Sequence, residues 1–95
     1  MRVRLARAAR REARLARFAF AHRDPGSVET FERSMEDAVA RLEAFPEAGA
    51  GYLQGTRRLR LETVPYYLVY RVTAREVRII AVVHTSQRPG YWEGR

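Results

Sequence analysis

Residues 66–84, YYLVYRVTAREVRIIAVVH, decide the fold of this chain. The segments 66–72 and 77–84 are rich in β-branched and aromatic residues, which favour β-strands. The link between them, TARE, is short enough for a hairpin. Upstream, RRLRLE at 57–62 alternates Arg with Leu, which indicates another strand, and TVP interrupts the chain before Tyr66. The pattern predicts an antiparallel meander of three strands.

The first half of the chain has a helical period instead. From Ala6 to about His22, Ala and Leu dominate and no Gly or Pro interrupts, so a helix is predicted. Asp24 and Pro25 are suited to begin a second helix, and Phe45-Pro46 is suited to end it. The second helix has a regular apolar stripe, formed by Val28, Phe31, Met35, Ala38 and Leu42.

Helices followed by strands indicate the α+β class. We expect a short N-terminal strand, RVRL at 2–5, and an antiparallel helical hairpin that packs on one face of a C-terminal antiparallel β-meander. The Gly-rich stretch 47–56 is predicted to be a loop between the two halves. A chain of 95 residues has room for one core, so residues 1–95 are predicted to form a single domain.

The composition excludes several classes of site. There is no Cys and there are only two His, so disulfides, metal sites and cofactors are not expected. All 18 basic residues are Arg, which excludes lysine chemistry. No apolar run could span a bilayer, and we expect a cytoplasmic protein with no membrane partner. The net charge of +7 predicts an anionic partner, either nucleic acid or an acidic protein.

The first predicted helix carries a stripe of arginines. Their i, i+3 and i+4 spacing places them on one helical face, with Phe18 projecting beside them; the stripe comprises Arg7, Arg10, Arg11, Arg14 and Arg17. Such a face is either solvated or a docking surface for an acidic partner. An exposed Phe18 favours docking.

The closing stretch, HTSQRPGYWEGR at 84–95, contains the single Trp of the chain. Its Pro-Gly pair predicts a turn that returns Tyr91 and Trp92 toward Arg88. An Arg beside two large aromatic residues is typical of protein interfaces. Alternatively, Trp92 folds back and caps the sheet.

The order of elements resembles the RelE/ParE superfamily of toxins from bacterial type II toxin–antitoxin modules. The residues that carry the resemblance are FPEAG at 45–49, RRLRLETVPYYLVYRV at 57–72 and VRIIAVVHTSQRPGYWEGR at 77–95. The resemblance implies a toxin of a plasmid-stabilisation module that is neutralised by a cognate antitoxin. We expect that antitoxin to be acidic, to contact Arg7, Arg10, Arg14, Arg17 and Phe18 or extend the sheet edge, and to form a heterodimer or heterotetramer with the toxin.

The superfamily contains two activities. RelE-like members resemble ribosome-dependent mRNA endonucleases, whereas ParE-like members are associated with inhibition of DNA gyrase and have no accepted catalytic residues. By this resemblance, the basic cluster of RelE on the first meander strand falls on Arg58 and Arg60. An early Arg of the next strand is matched by Tyr67, and the basic cluster after the last strand is reduced to Arg88. The resemblance therefore favours a ParE-like toxin with DNA gyrase as its host target.

The charged and aromatic residues are compatible with either catalysis or binding. If the chain is a nuclease, Arg58, Arg60 and Arg88 would stabilise phosphate charge. The candidates for proton transfer are His84 and Glu62, and Tyr91 joins them if its pKa is perturbed. For His84 a structural hydrogen bond is the alternative, and Glu62 is predicted to share a strand face and a salt bridge with Arg58 and Arg60. If the chain is instead a binding protein, its target-binding residues are predicted to be Arg58, Arg60, Arg88, Tyr91 and Trp92. An isolated nucleic-acid-binding module is a third, more remote alternative.

Overall fold

The computed structural model describes all residues from Met1 to Arg95. The elements in chain order are β1 (Arg2–Leu5), α1 (Arg7–Arg23), α2 (Ser27–Ala44), β2 (Ala50–Gly51), a 3-10 turn (Leu53–Gly55), β3 (Arg57–Arg60), β4 (Tyr66–Val72) and β5 (Glu76–His84). Neither helix is long and apolar enough to cross a membrane.

The strands form one five-stranded sheet in the order β1-β5-β4-β3-β2. The predicted meander of β3, β4 and β5 is antiparallel, so the α+β prediction is confirmed. The predicted short strand β1 lies parallel to β5, with Arg2 opposite Glu76 and Leu5 opposite Ile79. The stretch predicted to be a loop contributes the short edge strand β2, which pairs with β3.

The two helices pack on one face of the sheet. Small residues line the buried side of α1, where Ala9 and Ala16 are 0% and 4% exposed, so that the helix approaches the sheet closely. From α2, Phe31 and Leu42 reach the same core, as their stripe predicts. The start of α2 differs from the prediction: it begins at Ser27 after a turn, not at Pro25.

The opposite face of the meander is buried as well. A β-bulge lies where Val69 faces Ala81 and Tyr70 faces Ile79, which leaves Ile80 as the extra residue of β5. This second sheet face, formed by Tyr67, Val69, Ile80, Ala81 and Val83, packs against Trp92 and the partly buried Tyr52. Burial on both faces explains why β4 and β5 read as nearly continuous apolar runs.

Candidate functional site

The chain after β5 folds back onto the sheet. Gly90 adopts the left-handed conformation, with φ of +84°, as part of the turn that Pro89-Gly90 predicts. The turn returns Trp92 to the second sheet face, where its ring centroid lies 6.0 Å from that of Tyr52. Trp92 is 1% exposed, so the expectation that it contacts a target is wrong. Its large apolar surface is used to cap the sheet, which is the alternative that the sequence left open.

Glu12 of α1 fastens the end of the chain to the rest of the molecule. Arg95 donates two hydrogen bonds to its carboxylate, at 2.8 Å to Oε1 and 3.1 Å to Oε2, and the Tyr91 hydroxyl donates to Oε2 as well. The backbone N–H of Val82 donates to Glu12 Oε1 at 3.1 Å. Val82 lies on β5 beyond the last residue paired with β1. Glu12 therefore also accepts a hydrogen bond from a backbone N–H that β1 does not pair. We call Glu12, Tyr91 and Arg95 the tail clamp.

The tail clamp determines the position of Tyr91. Its ring lies 5.3 Å from the Arg95 guanidinium carbon and not against Arg88, which corrects the predicted Arg88–Tyr91–Trp92 cluster. Burial, followed by the hydrogen bond to Glu12, raises the pKa of Tyr91 above its usual value of 10.0. Arg88 itself is exposed and forms no ion pair within the chain.

Arg58 on β3 packs against two aromatic rings whose planes lie 85° apart. Its guanidinium carbon lies 4.9 Å from the ring centroid of Tyr52 and 4.9 Å from that of Tyr67. No carboxylate lies within salt-bridge distance of it, although the residue is exposed to solvent. Burial raises the pKa of Tyr67, and the neighbouring Arg58 opposes that rise. Both rings lie on one side of an exposed guanidinium that forms no ion pair within the chain.

Arg60 forms hydrogen bonds to the backbone of its own chain. Its Nη1 donates to the carbonyl oxygens of Leu61 at 2.7 Å and Tyr66 at 3.2 Å, and also to that of Val64. These hydrogen bonds attach one nitrogen of the exposed guanidinium to the link between β3 and β4. Glu62 lies in that link, after the end of β3, and forms no ion pair, so the predicted salt bridge is wrong.

His84 lies at the end of β5 in a structural role. Its Nδ1 accepts the backbone N–H of Ser86 at 3.0 Å and lies 2.7 Å from the Ser86 hydroxyl. The ring packs edge-to-face on Tyr66 with a centroid distance of 5.0 Å. Arg60 and His84 line different clefts, so the residues predicted for a nuclease are not gathered in one pocket. No group of three or more His, Asp or Glu side chains is placed to hold a metal ion.

The exposed side of α1 combines positive charge with apolar surface. Phe18 is 68% exposed and the neighbouring Leu15 is 62% exposed. The predicted arginines of this side are all exposed; they are Arg7, Arg10, Arg14 and Arg17. Arg17 lies 3.5 Å from Glu32 of α2, and Arg10 lies 3.4 Å from the carbonyl of Leu5. We call these four arginines with Leu15 and Phe18 the α1 surface.

Three residues that shape the site were missed by sequence reasoning. Glu12 and Arg95 meet across 83 positions of sequence, and Tyr52 comes from the segment predicted to be a loop. One signal pointed to Glu12, which is the only acidic residue among residues 1–23. Nothing in the sequence indicates that Tyr52 stacks on Arg58.

Comparison with known proteins places this chain in a family. The sequence model of the family described as ParE toxin of type II toxin–antitoxin system, parDE, matches residues 3–89. The chain belongs to the ParE toxin family. It is 33% identical over 66 residues to Y4kP of Sinorhizobium fredii, which is named as a candidate toxin, and this match covers 68% of each protein.

A solved structure agrees with the fold of this ParE-family chain. It comes from the chromosomal ParDE toxin–antitoxin system of P. aeruginosa and superimposes with a TM-score of 0.76. The alignment covers 88% of this chain and 95% of the other, at 22% identity. At that identity the likeness supports the architecture alone. The family itself consists of the toxin halves of toxin–antitoxin pairs, so membership implies an antitoxin as partner.

Proposed function

We propose that this ParE-family chain is a toxin of a plasmid-stabilisation module that arrests its host by binding DNA gyrase, and that a cognate acidic antitoxin neutralises it. The observation that carries the proposal is Arg58, an exposed guanidinium that packs against two tyrosine rings and forms no ion pair within the chain. A rigid, unpaired charge is typical of a recognition residue, because little conformational entropy is lost when it binds.

The hydrogen bonds made by the other candidate catalytic residues favour binding over RNA cleavage. A nuclease needs groups that exchange protons with the substrate. The Tyr91 hydroxyl donates a hydrogen bond to Glu12, and the pKa of Tyr91 is raised. Nδ1 of His84 accepts a hydrogen bond from the backbone N–H of Ser86. Arg60 is held by backbone carbonyls. A RelE-like mechanism would have to release several of these groups, whereas binding through Arg58 and Arg88 requires no such change.

Gyrase inhibition and mRNA cleavage are separated by two measurements on the same culture. The toxin is induced briefly, RNA ends are mapped, and gyrase–DNA cleavage complexes are quantified. We expect unchanged transcripts and an increase in cleavage complexes that is lost in Arg58→Ala and retained in Arg75→Ala, a matched change at an exposed position in the β4–β5 turn. New mRNA ends that disappear in His84→Ala would instead establish the RelE-like activity.

We propose the α1 surface as the antitoxin-docking site. Leu15 and Phe18 are two large apolar side chains exposed beside each other, and the surrounding arginines favour an anionic partner. A cleft of about 250 Å³ between α1 and the end of β5 adjoins Leu15 and offers a further place for an apolar side chain. An acidic amphipathic segment has the chemistry that matches this surface.

Co-expression with the neighbouring open reading frame tests the docking site. Phe18→Glu is expected to weaken the complex at least tenfold, because it buries a carboxylate of the same sign as the partner. Glu36→Lys, on the exposed side of α2, is the control and should leave binding within about twofold. Light scattering of the purified complex distinguishes a heterodimer from a heterotetramer. A Phe18→Glu complex of unchanged affinity would rule out this surface.

A further inference from the structure

The sheet face that Trp92 caps carries, beyond the cap, a row of arginines on three adjacent strands. Arg4 of β1 lies opposite Arg78 of β5, and Arg78 lies opposite Arg71 of β4. The residues next to them in sequence, such as Leu5 and Ile79, pack into the core under the helices. Because side chains alternate along a strand, the three arginines project from the other face. We call Arg4, Arg71 and Arg78 the arginine row.

A single carboxylate pairs with this charge. Glu76 forms an ion pair with Arg4, at 2.9 Å between Nη2 and Oε2. The hydrogen bond from Arg4 lowers the pKa of Glu76, and the nearby charges of Arg2 and Arg78 lower it further. Arg2, Arg71 and Arg78 form no ion pair. Like charges directly opposite one another destabilise a sheet, so the stability of the fold does not explain the arginine row.

The surroundings of the arginine row favour an extended polyanion over an acidic protein segment. Adjacent strands lie about 4.8 Å apart, so the row is about 10 Å long, comparable to a few phosphates along one strand of a duplex. Val72 is the one large apolar strand residue that is exposed, at 38%, and alternation turns it to the helix side. The α1 surface differs, because Leu15 and Phe18 offer a protein the apolar contact that the arginine row lacks.

The aromatic residues of this face favour a duplex over a single strand. Single-stranded nucleic acids are bound largely by stacking their bases on accessible aromatic side chains, whereas a duplex backbone is bound by cations. Tyr52, Tyr67 and Trp92 pack on one another and are at least partly buried. The arginine row therefore offers charge without a stacking platform.

We infer that the arginine row, together with Arg2, binds the phosphodiester backbone of duplex DNA. The choice of DNA rests on the proposed function, since gyrase acts on a DNA duplex and a toxin bound to gyrase lies beside that duplex. Contacts from guanidinium groups to phosphates carry no sequence information, so we expect binding to be independent of base sequence.

The first test uses the full-length toxin without gyrase. Binding to a labelled DNA duplex of about 20 bp is measured by fluorescence anisotropy at several salt concentrations. With three unpaired cations, the plot of log K against log salt concentration should have a slope of about −3. The double variant Arg2→Gln/Arg78→Gln should reduce this slope to about −1. The matched control is Arg33→Gln/Arg41→Gln, which removes two exposed charges from α2 and should keep the slope near −3.

Thermal melting distinguishes a binding role of the arginine row from a structural one. Arg2→Gln/Arg78→Gln should melt at or above the wild-type temperature, because it separates opposed charges. A variant that loses DNA affinity only because it unfolds would overturn the inference. An equal loss of DNA affinity in both double variants would also overturn it, since net charge alone would then account for binding.

Competition identifies the ligand. Unlabelled duplex DNA should displace the probe at a concentration no higher than duplex RNA of the same length. It should do so at a concentration at least five times lower than single-stranded DNA or polyglutamate of equal charge. Polyglutamate that competes as well as duplex DNA would replace the nucleic acid with an acidic protein. Any other order would overturn duplex DNA as the ligand.

Gyrase measurements separate this inference from the proposed function. If wild-type toxin does not bind gyrase, the proposed target is wrong, but the duplex titration still determines whether the arginine row binds DNA. If it does bind, Arg2→Gln/Arg78→Gln should bind gyrase without DNA within about twofold of wild type and yield fewer cleavage complexes. A double variant that binds DNA as tightly as wild type would overturn the inference while the gyrase target stands.

Discussion

Replacing Glu12 with Ala is expected to release the end of the chain. The side chain is the common acceptor for Arg95, Tyr91 and the backbone N–H of Val82. Removing it leaves the Arg95 guanidinium without its carboxylate and leaves Val82 with an unpaired N–H at the strand edge. Because Trp92 lies between Tyr91 and Arg95 in sequence, loss of the tail clamp should also loosen the cap on the second sheet face.

The expected magnitude follows from the burial of the tail clamp. The side chains of Glu12 and Arg95 are 15% and 26% exposed, so the pair is worth more than a surface salt bridge of about 0–1 kcal/mol. Hydrogen bonds to charged groups contribute about 1.5–3 kcal/mol each but do not add fully. We therefore expect the free energy of unfolding to fall by about 2–3 kcal/mol. For a chain of this size that corresponds to a decrease in Tm of about 10–20 °C.

Urea unfolding and tryptophan fluorescence measure the two consequences. Trp92 is the only Trp and is 1% exposed, so its emission reports directly on the end of the chain. In Glu12→Ala the emission should shift to longer wavelength before global unfolding. Glu12→Gln, which keeps an acceptor for Val82, should be intermediate, and Glu36→Ala is the exposed control. An unfolding free energy within about 0.5 kcal/mol of wild type, with unchanged emission, would refute the reasoning.

Three further outcomes are expected. The pKa of Tyr91 is raised above 10.0, so its contribution to stability is complete below pH 10 and is lost as the pH rises above that value. The difference in unfolding free energy between wild type and Tyr91→Phe should therefore shrink between about pH 10 and 11.5. Arg60→Ala should lower the unfolding free energy by about 1–2 kcal/mol, because backbone carbonyls lose their donor, and unchanged stability with lost target binding would support its predicted role. Ser34→Ala should raise stability by about 1 kcal/mol in thermal melts, because the Ser34 hydroxyl is buried without a partner; a lower Tm would show that the hydroxyl is satisfied.

Local pattern was sufficient for most of the secondary structure. The apolar stripe of α2 and the strand composition of 66–84 predicted their elements because helical and strand periods are properties of neighbouring residues. The superfamily could also be inferred from the sequence, since the resemblance is carried by local segments that occur in the same order along the chain. The strand that pairs with β1 could not be inferred from the sequence, because pairing Leu5 with Ile79 joins positions that are far apart in the chain.

The roles of the charged and aromatic residues depended on tertiary structure. The sequence by itself determined that Arg58 and Arg60 lie on one strand and that a turn precedes Trp92. Only the fold decided that Arg58 packs against Tyr52 and Tyr67, that Arg60 turns into the β3–β4 link, and that Trp92 is buried. A long side chain can reach several acceptors from one backbone position. Which acceptor it meets is determined by the distant segments that packing brings beside it.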